Sequence, residues 1–194
     1  AGPEDVTEIC LHETALLLAM AGVARDEVDG RARAERAIAD GSGLAKLAEV
    51  IAAQGGDARM IEQPDRLPSA PYREDIRAPH TGYVAAIDAE RLGMASVRLG
   101  AGRMRKGDPI DHAVGLYLWA KVGDKLDAEE PLLQVHARTA DEARAIRDEV
   151  LGAYTFSEEP PVRQPLLLDT IAGVTARRAV GKRAPRRKAV ASRR

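Results

Sequence analysis

Ile76-Arg77-Ala78-Pro79-His80-Thr81-Gly82-Tyr83-Val84, taken together with Val122-Gly123-Asp124-Lys125-Leu126 and Pro131-Leu132-Leu133, decides what kind of fold this chain adopts. Each half is a short run of strand-forming residues broken by turn chemistry, with Pro79-His80-Thr81 in one and Gly123-Asp124 in the other. The surrounding pattern predicts strands from Asp75 to Ala78, Gly82 to Ile87, Val114 to Trp119 and Leu132 to Ala137. Two helices interrupt them. Asp88 can cap the first, which ends at Gly100, and Thr139 with Glu142 forms a capping box for the second, whose Ala143, Ile146 and Val150 face one way. Strands and helices in this irregular order, without repeated strand-helix alternation, predict an α+β fold.

Upstream, Pro64, Pro68 and Pro71 mark residues 64–71 as a linker, since each proline fixes its own backbone angle and disfavours helix at the residue before it. Residues 1–63 read as helices. Asp5 and Glu8 make a capping-box pattern for the first, and Val6, Ile9, Cys10, Leu16, Leu17 and Met20 form an apolar stripe that widens toward a stop at Gly22. The second runs from Glu27 to Asp40 behind Asp26. The third follows Ser42, with Leu44, Leu47, Ala48 and Ile51 at helical spacing before Gly55-Gly56. Three short amphipathic helices make a weak domain alone, so they are expected to lean on something further upstream. Downstream, Leu166-Leu167-Leu168 reads as a final edge strand, and the folded part, residues 72–173, is expected to end near Ile171.

The chain of 194 residues carries 29 Lys and Arg against 30 Asp and Glu, but the charges are segregated. Arg177, Arg178, Lys182, Arg183, Arg186, Arg187, Lys188, Arg193 and Arg194 crowd a terminal stretch, 174–194, that holds no acidic residue. It reads as a disordered basic tail on an acidic body, able at most to touch a polyanion such as RNA through phosphate contacts. No run of apolar residues reaches the roughly 18 that a membrane-spanning helix needs. Cys10 is the single cysteine, which excludes an internal disulfide and a thiolate zinc cluster and favours a reducing, cytoplasmic setting. The chain opens Ala1-Gly2-Pro3 without Met or a signal-peptide pattern, as expected of a processed or truncated piece.

Residues that commonly carry chemistry are scattered. His12, His80, His112 and His136 form no metal-ligand spacing; His12 and His80 read as surface residues, and Asp111-His112 as strand neighbours pointing to opposite faces. Ser42, Ser69, Ser96 and Ser157 lack the glycine flanks of a nucleophile elbow, and Cys10 reads as core. Glu129-Glu130 and Glu158-Glu159 precede prolines and read as solvated turns. One segment stands out: Leu99-Gly100-Ala101-Gly102-Arg103-Met104-Arg105-Lys106-Gly107-Asp108, a glycine-rich cationic loop able to meet a phosphate. It is not a nucleotide-binding phosphate loop, because it lacks the Lys-Ser/Thr pair and follows a helix instead of introducing one. Its simpler reading is a basic helix exit.

The halves around Pro79 and Gly123-Asp124 look like those of the barrel-sandwich hybrid of biotinyl and lipoyl carrier domains. Lys106, Lys121 and Lys125 lack the neighbours of a modifiable lysine, so the sandwich would serve as architecture. A wider set of residues is more specific. Ala53-Gln54-Gly55-Gly56-Asp57, then Ala78-Pro79 with Gly82-Tyr83-Val84, then Leu99-Gly100-Ala101-Gly102-Arg103 with Lys106, Asp108, Ile110-Asp111 and Val114-Gly115, and finally Val122-Gly123-Asp124 with Pro131-Leu132, resemble in order the C-terminal portion of pyrimidine-nucleoside and thymidine phosphorylases. Gly2 to Glu8 resembles the family's helix entry, so the resemblance runs to about Ile171 and omits the tail.

The resemblance implies a helical remnant of a central α/β domain in residues 1–63, followed by an α/β-hammerhead, barrel-sandwich-like C-terminal domain. It also implies a homodimeric parent enzyme in which inorganic phosphate is co-substrate with a pyrimidine nucleoside and no cofactor takes part. The family's phosphate and pyrimidine contacts and its dimer helices lie in a portion before this chain begins. No catalytic or metal site is therefore carried over, and the piece is expected to be inert by itself. Gly100, Gly102, Arg103 and Arg105 remain as a candidate cleft loop that orders when the parent's domains close, with Arg103 or Arg105 adding positive potential near phosphate. The competing class is a stand-alone binding module whose basic tail contacts nucleic acid or a protein.

Overall fold

Residues 2–162 and 164–171 are described by the structure, a computed structural model. Helix α1 spans Glu4–Met20, α2 Glu27–Ala39 and α3 Ser42–Ala53. Asp26 caps α2 as expected, its carboxylate accepting from the Asp29 amide at 2.8 Å. Asp5 does not cap α1. The chain enters at Pro3, which supplies no side-chain cap, so Asp5 already lies within the first turn and its carboxylate turns outward to Lys121. That ammonium is the main reason the Asp5 carboxyl titrates below the ordinary range.

Helices α1 and α2 pack closely because Gly30 has no side chain: a Cβ there would sit 2.6 Å from the Ala15 carbonyl oxygen. Arg31 closes the same seam with a two-pronged contact to Glu8 at 2.8 and 2.7 Å. The apolar stripe expected on α1 points mostly the other way. Leu11 and Ala15 are buried, whereas Val6, Cys10, Leu17 and Met20 are exposed, and α3 has no buried residue. Cys10 is therefore a surface thiol and not a core residue.

After short turns at Ala58–Met60 and Pro64–Arg66 the chain enters an α+β body. It comprises β1 (Tyr72–Arg77), β2 (Gly82–Ile87), α4 (Ala89–Ser96), β3 (Gly115–Leu118), β4 (Lys125–Leu126), β5 (Pro131–Ala137), α5 (Ala140–Leu151) and β6 (Tyr154–Ser157). Two three-stranded antiparallel sheets result, ordered β1-β5-β3 and β4-β2-β6. The halves around Pro79 and Gly123 do meet. Strand β1 pairs with β5, the Val84 amide donates to the Asp124 carbonyl at 2.9 Å, and the Gly123 amide donates to the Val84 carbonyl at 2.8 Å.

One core fills the space between sheets and helices, with Ile76, Val84, Leu99, Leu132, Leu133, Val135 and Val150 essentially out of reach of water. Helix α5 contributes Ala143, Ile146 and Val150 on one face, and Thr139 caps it by accepting from the Glu142 amide at 3.2 Å. The helix expected to end at Gly100 stops as α-helix at Ser96 and continues as a wider π turn, Val97–Ala101. Gly100 ends that winding with φ 106°, a left-handed angle that glycine tolerates.

The terminal edge strand expected at Leu166-Leu167-Leu168 does not form. Strand β6 takes the place beside β2, and the three leucines are exposed and lie outside any strand. Pairing of β6 comes with burial of Tyr154, which the leucine run beyond Pro160-Pro161 does not achieve. The basic tail expected over 174–194 lies outside the described residues. No helix among the described residues is long and apolar enough to cross a membrane.

Candidate functional site

The cationic loop begins where the π turn ends. Its neck is closed by a hydrogen bond from the Asp111 amide to the Gly100 carbonyl at 2.9 Å. Inside it, the Asp108 carboxylate accepts from the Arg105 amide at 2.7 Å, the Arg103 Nε donates to the Asp108 carbonyl at 3.1 Å, and Gly107 takes a left-handed φ of 97°. Asp108 thus organises the loop from within. Arg103, Arg105 and Lys106 stay exposed, and none makes an ion pair among the described residues. Gly102 must remain small, because a Cβ there would lie 2.7 Å from a Val97 methyl group. A shallow cleft of about 400 Å³ lies at the neck, lined by Gly100, Ile110, Asp111, His112 and Arg138 among others.

A second, larger cleft of about 670 Å³ opens beside β3 and β5, lined by Asp75, Trp119, Asp124, Lys125, Glu130 and Gln134 among others. Register places Asp75, Gln134 and Tyr117 across one row of the β1-β5-β3 sheet. The Gln134 amide nitrogen donates to Asp75 at 2.8 Å, which leaves its oxygen facing His136 Nε2, also at 2.8 Å. Nε2–H is therefore the donor in that contact. Partial burial, followed by the Arg73 charge, pushes the His136 imidazole below its ordinary value and favours its neutral form.

Asp111 and His112 lie in a turn and not on a strand: Asp111 accepts from the Ala113 amide at 3.0 Å, and His112 is exposed. Ser96 donates to the Leu92 carbonyl at 3.1 Å and Ser157 to the Glu159 carbonyl at 2.6 Å, so both hydroxyls serve their own backbone. His80 sits in its expected turn, edge-on to Phe156 with ring centroids 5.0 Å apart. His12 is half-buried, short of the surface position expected. Among the described residues no three His, Cys, Asp or Glu side chains converge as metal ligands. Of the candidate loop, Gly100 and Gly102 shape the backbone, and Arg103 and Arg105 stand exposed. Arg138 also touches the neck, and nothing in the sequence marks it, since an arginine before a helix cap has no distinctive pattern.

The described residues thus define an α+β body that presents an exposed cationic loop. Residues 83–157 match the family model described as the pyrimidine nucleoside phosphorylase C-terminal domain. Pyrimidine-nucleoside phosphorylases of Staphylococcus aureus strains USA300, COL and N315 are each 40% identical to the chain over 140 residues, 72% of this chain and 32% of the relative. The chain therefore spans about a third of the length of the curated relatives it matches. These matches bear out the resemblance to the C-terminal portion of that family carried by the ordered motifs.

Proposed function

We propose that the chain supplies the C-terminal portion of a pyrimidine-nucleoside phosphorylase and is inert by itself. The observation that carries this reading is the 40% identity over 140 residues, a span longer than the stretch 83–157 that the family model matches. In the whole enzyme's reaction a phosphate oxygen bonds to C1′ of the nucleoside as the bond from C1′ to the base nitrogen breaks. The bonding pair leaves with the base, which takes up a proton, and a pentose 1-phosphate remains. Such a reaction needs positive charge at phosphate and donors at the departing base.

Residues 1–63 are read as closing helices of a larger α/β domain, 64–71 as a linker and 72–173 as an α/β-hammerhead domain. The apolar faces exposed on α1 and α3 support the first of these, because such faces are normally covered. Homodimerisation and the contacts to nucleoside and phosphate are assigned to the part of the enzyme that precedes the matched third. A reducing, cytoplasmic location fits the single exposed thiol. The stand-alone binding module draws no support from the proteins that match.

Joining this chain to the preceding two-thirds of a staphylococcal relative tests the proposal. The joined enzyme is expected to release uracil or thymine from its nucleoside in the presence of phosphate, and the chain alone to release none. Activity of the chain alone, or a soluble, folded joined protein without activity, would overturn it. In the joined enzyme the loop's role is read from Arg103→Gln: a raised KM for phosphate supports added potential near that ligand, and unchanged phosphate KM and kcat reject it.

A further inference from the structure

We propose that Arg138 is the positioning residue of the cationic loop, tying both sides of its neck to the start of α5. The consequence for phosphorolysis rests on the phosphorylase reading above; the positioning itself does not.

One guanidinium makes three connections. Its Nη2 donates to the Leu99 carbonyl at 3.1 Å, on the incoming side of the neck. Its Nη1 stands 3.5 Å from the Asp111 carboxylate, on the outgoing side. Its Nε donates to Glu142 at 3.0 Å, in the first turn of α5. Glu142 holds the same residue a second time, its other carboxylate oxygen accepting from the Arg138 amide at 3.0 Å. The clamp is consequently mounted on a helix whose other face is buried through Ala143, Ile146 and Val150.

Gly100 fits this arrangement twice. Its left-handed φ turns the chain out of the π winding, and a Cβ there would come within 3.3 Å of the Arg138 Nη1. A lysine has a single nitrogen and cannot span the Leu99 carbonyl, Asp111 and Glu142 together, whereas the planar fork of arginine can. The side chain is about half exposed, at 49%, so solvent screens its ion pairs and their contribution is to local opening of the loop more than to global stability. Arg103 and Arg105 then project from a loop whose ends are fixed, which sets where their charge is presented.

Timed trypsin digestion of the chain, with products followed by mass, tests this on wild type, Arg138→Gln and Arg138→Lys. Cleavage after Arg103, Arg105 and Lys106 is expected to rise by roughly fivefold or more in both variants, with cleavage after Arg36 and Arg77 unchanged, because cleavage tracks the population of the locally open form. Unchanged loop cleavage, uniformly faster cleavage, or full rescue by lysine would each count against the proposal decisively. If Arg138→Gln fails to fold, Glu142→Ala removes both oxygens that hold Arg138 and is expected to give the same local increase. In the joined enzyme Arg138→Gln should raise the phosphate KM, and adding it to Arg103→Gln should bring no further rise. An additive effect would overturn action through the loop. A joined enzyme without turnover would count against the phosphorylase reading, and the digestion would still decide the role of Arg138.

Discussion

The helical segment from Glu4 to Ala53 and the α+β body from Tyr72 to Ser157 both have amphipathic elements, yet they use their apolar residues in opposite ways. In the body, Leu92 of α4, Leu99 of the π turn, Leu133 of β5, and Ile146 and Val150 of α5 enclose one another. In the helices, Leu17, Met20, Val28, Ile38 and Leu44 stay in water, and the α1-α2 seam is held by Leu11, Ala15, Gly30 and Ala34 with an Arg31–Glu8 contact. Periodicity shows that a helix has an apolar side. It does not show which of two sides finds a partner.

The two regions should respond most differently to truncation at the body's centre. Leu133→Ala, at a side chain with no exposure, is expected to lower stability by about 2–5 kcal/mol through lost burial and a residual cavity, read from denaturant unfolding. Gly30→Ala should cost about 1–3 kcal/mol locally, because its Cβ meets the Ala15 carbonyl. Hydrogen exchange should then quicken over residues 4–39 and leave 72–157 unchanged; loss of protection in both would show that the two regions fold as one unit. Tyr154→Phe runs the other way. That hydroxyl is buried without a hydrogen-bond partner among the described residues, and burial raises its pKa to about 12, so removing it should stabilise the body by about 1 kcal/mol, seen as a higher denaturation midpoint.

A smaller effect concerns pH. The His136 imidazole titrates below its ordinary value in the folded chain, so as pH falls the unfolded state binds a proton first. Its contribution to stability is complete above the unfolded value, about 6.5, and is lost as pH falls toward the folded one. The Tm of wild type relative to His136→Asn should therefore fall between about pH 7.5 and about pH 5. The smallest effect is expected at Leu44→Lys, within about 0.5 kcal/mol of wild type because the side chain is exposed. A large loss in its unfolding free energy would mean that α3 is covered by this chain after all.

Much of the body is legible in the sequence because its signals are local. Thr139, Asp88 and Asp26 cap the helices that their spacing predicts, and β2 spans Gly82–Ile87 as its residues predict. Expectation and structure part where two local signals compete or a distant partner decides. Asp5 has the spacing of a cap, but Pro3 sets the helix start. The leucine run 166–168 has the composition of a strand, but β6 occupies the edge of β2. Cys10 lies in an apolar stripe, but that stripe faces outward. At the loop, glycines and basic residues are visible in sequence. Arg138 is not, since its contacts join residues 27 and 39 positions away as well as its own helix.

The α+β class, the turns at Pro79 and Gly123, the caps at Asp26, Asp88 and Thr139 and the resemblance to a phosphorylase C-terminal portion are all legible in the sequence alone, because they depend on residues near one another or on an ordered set of motifs. Tertiary structure alone decided which helix faces are covered, which segment completes the β2 edge and what holds the neck of the loop. Those outcomes depend on which surfaces meet across long stretches of chain, and no local spacing encodes that.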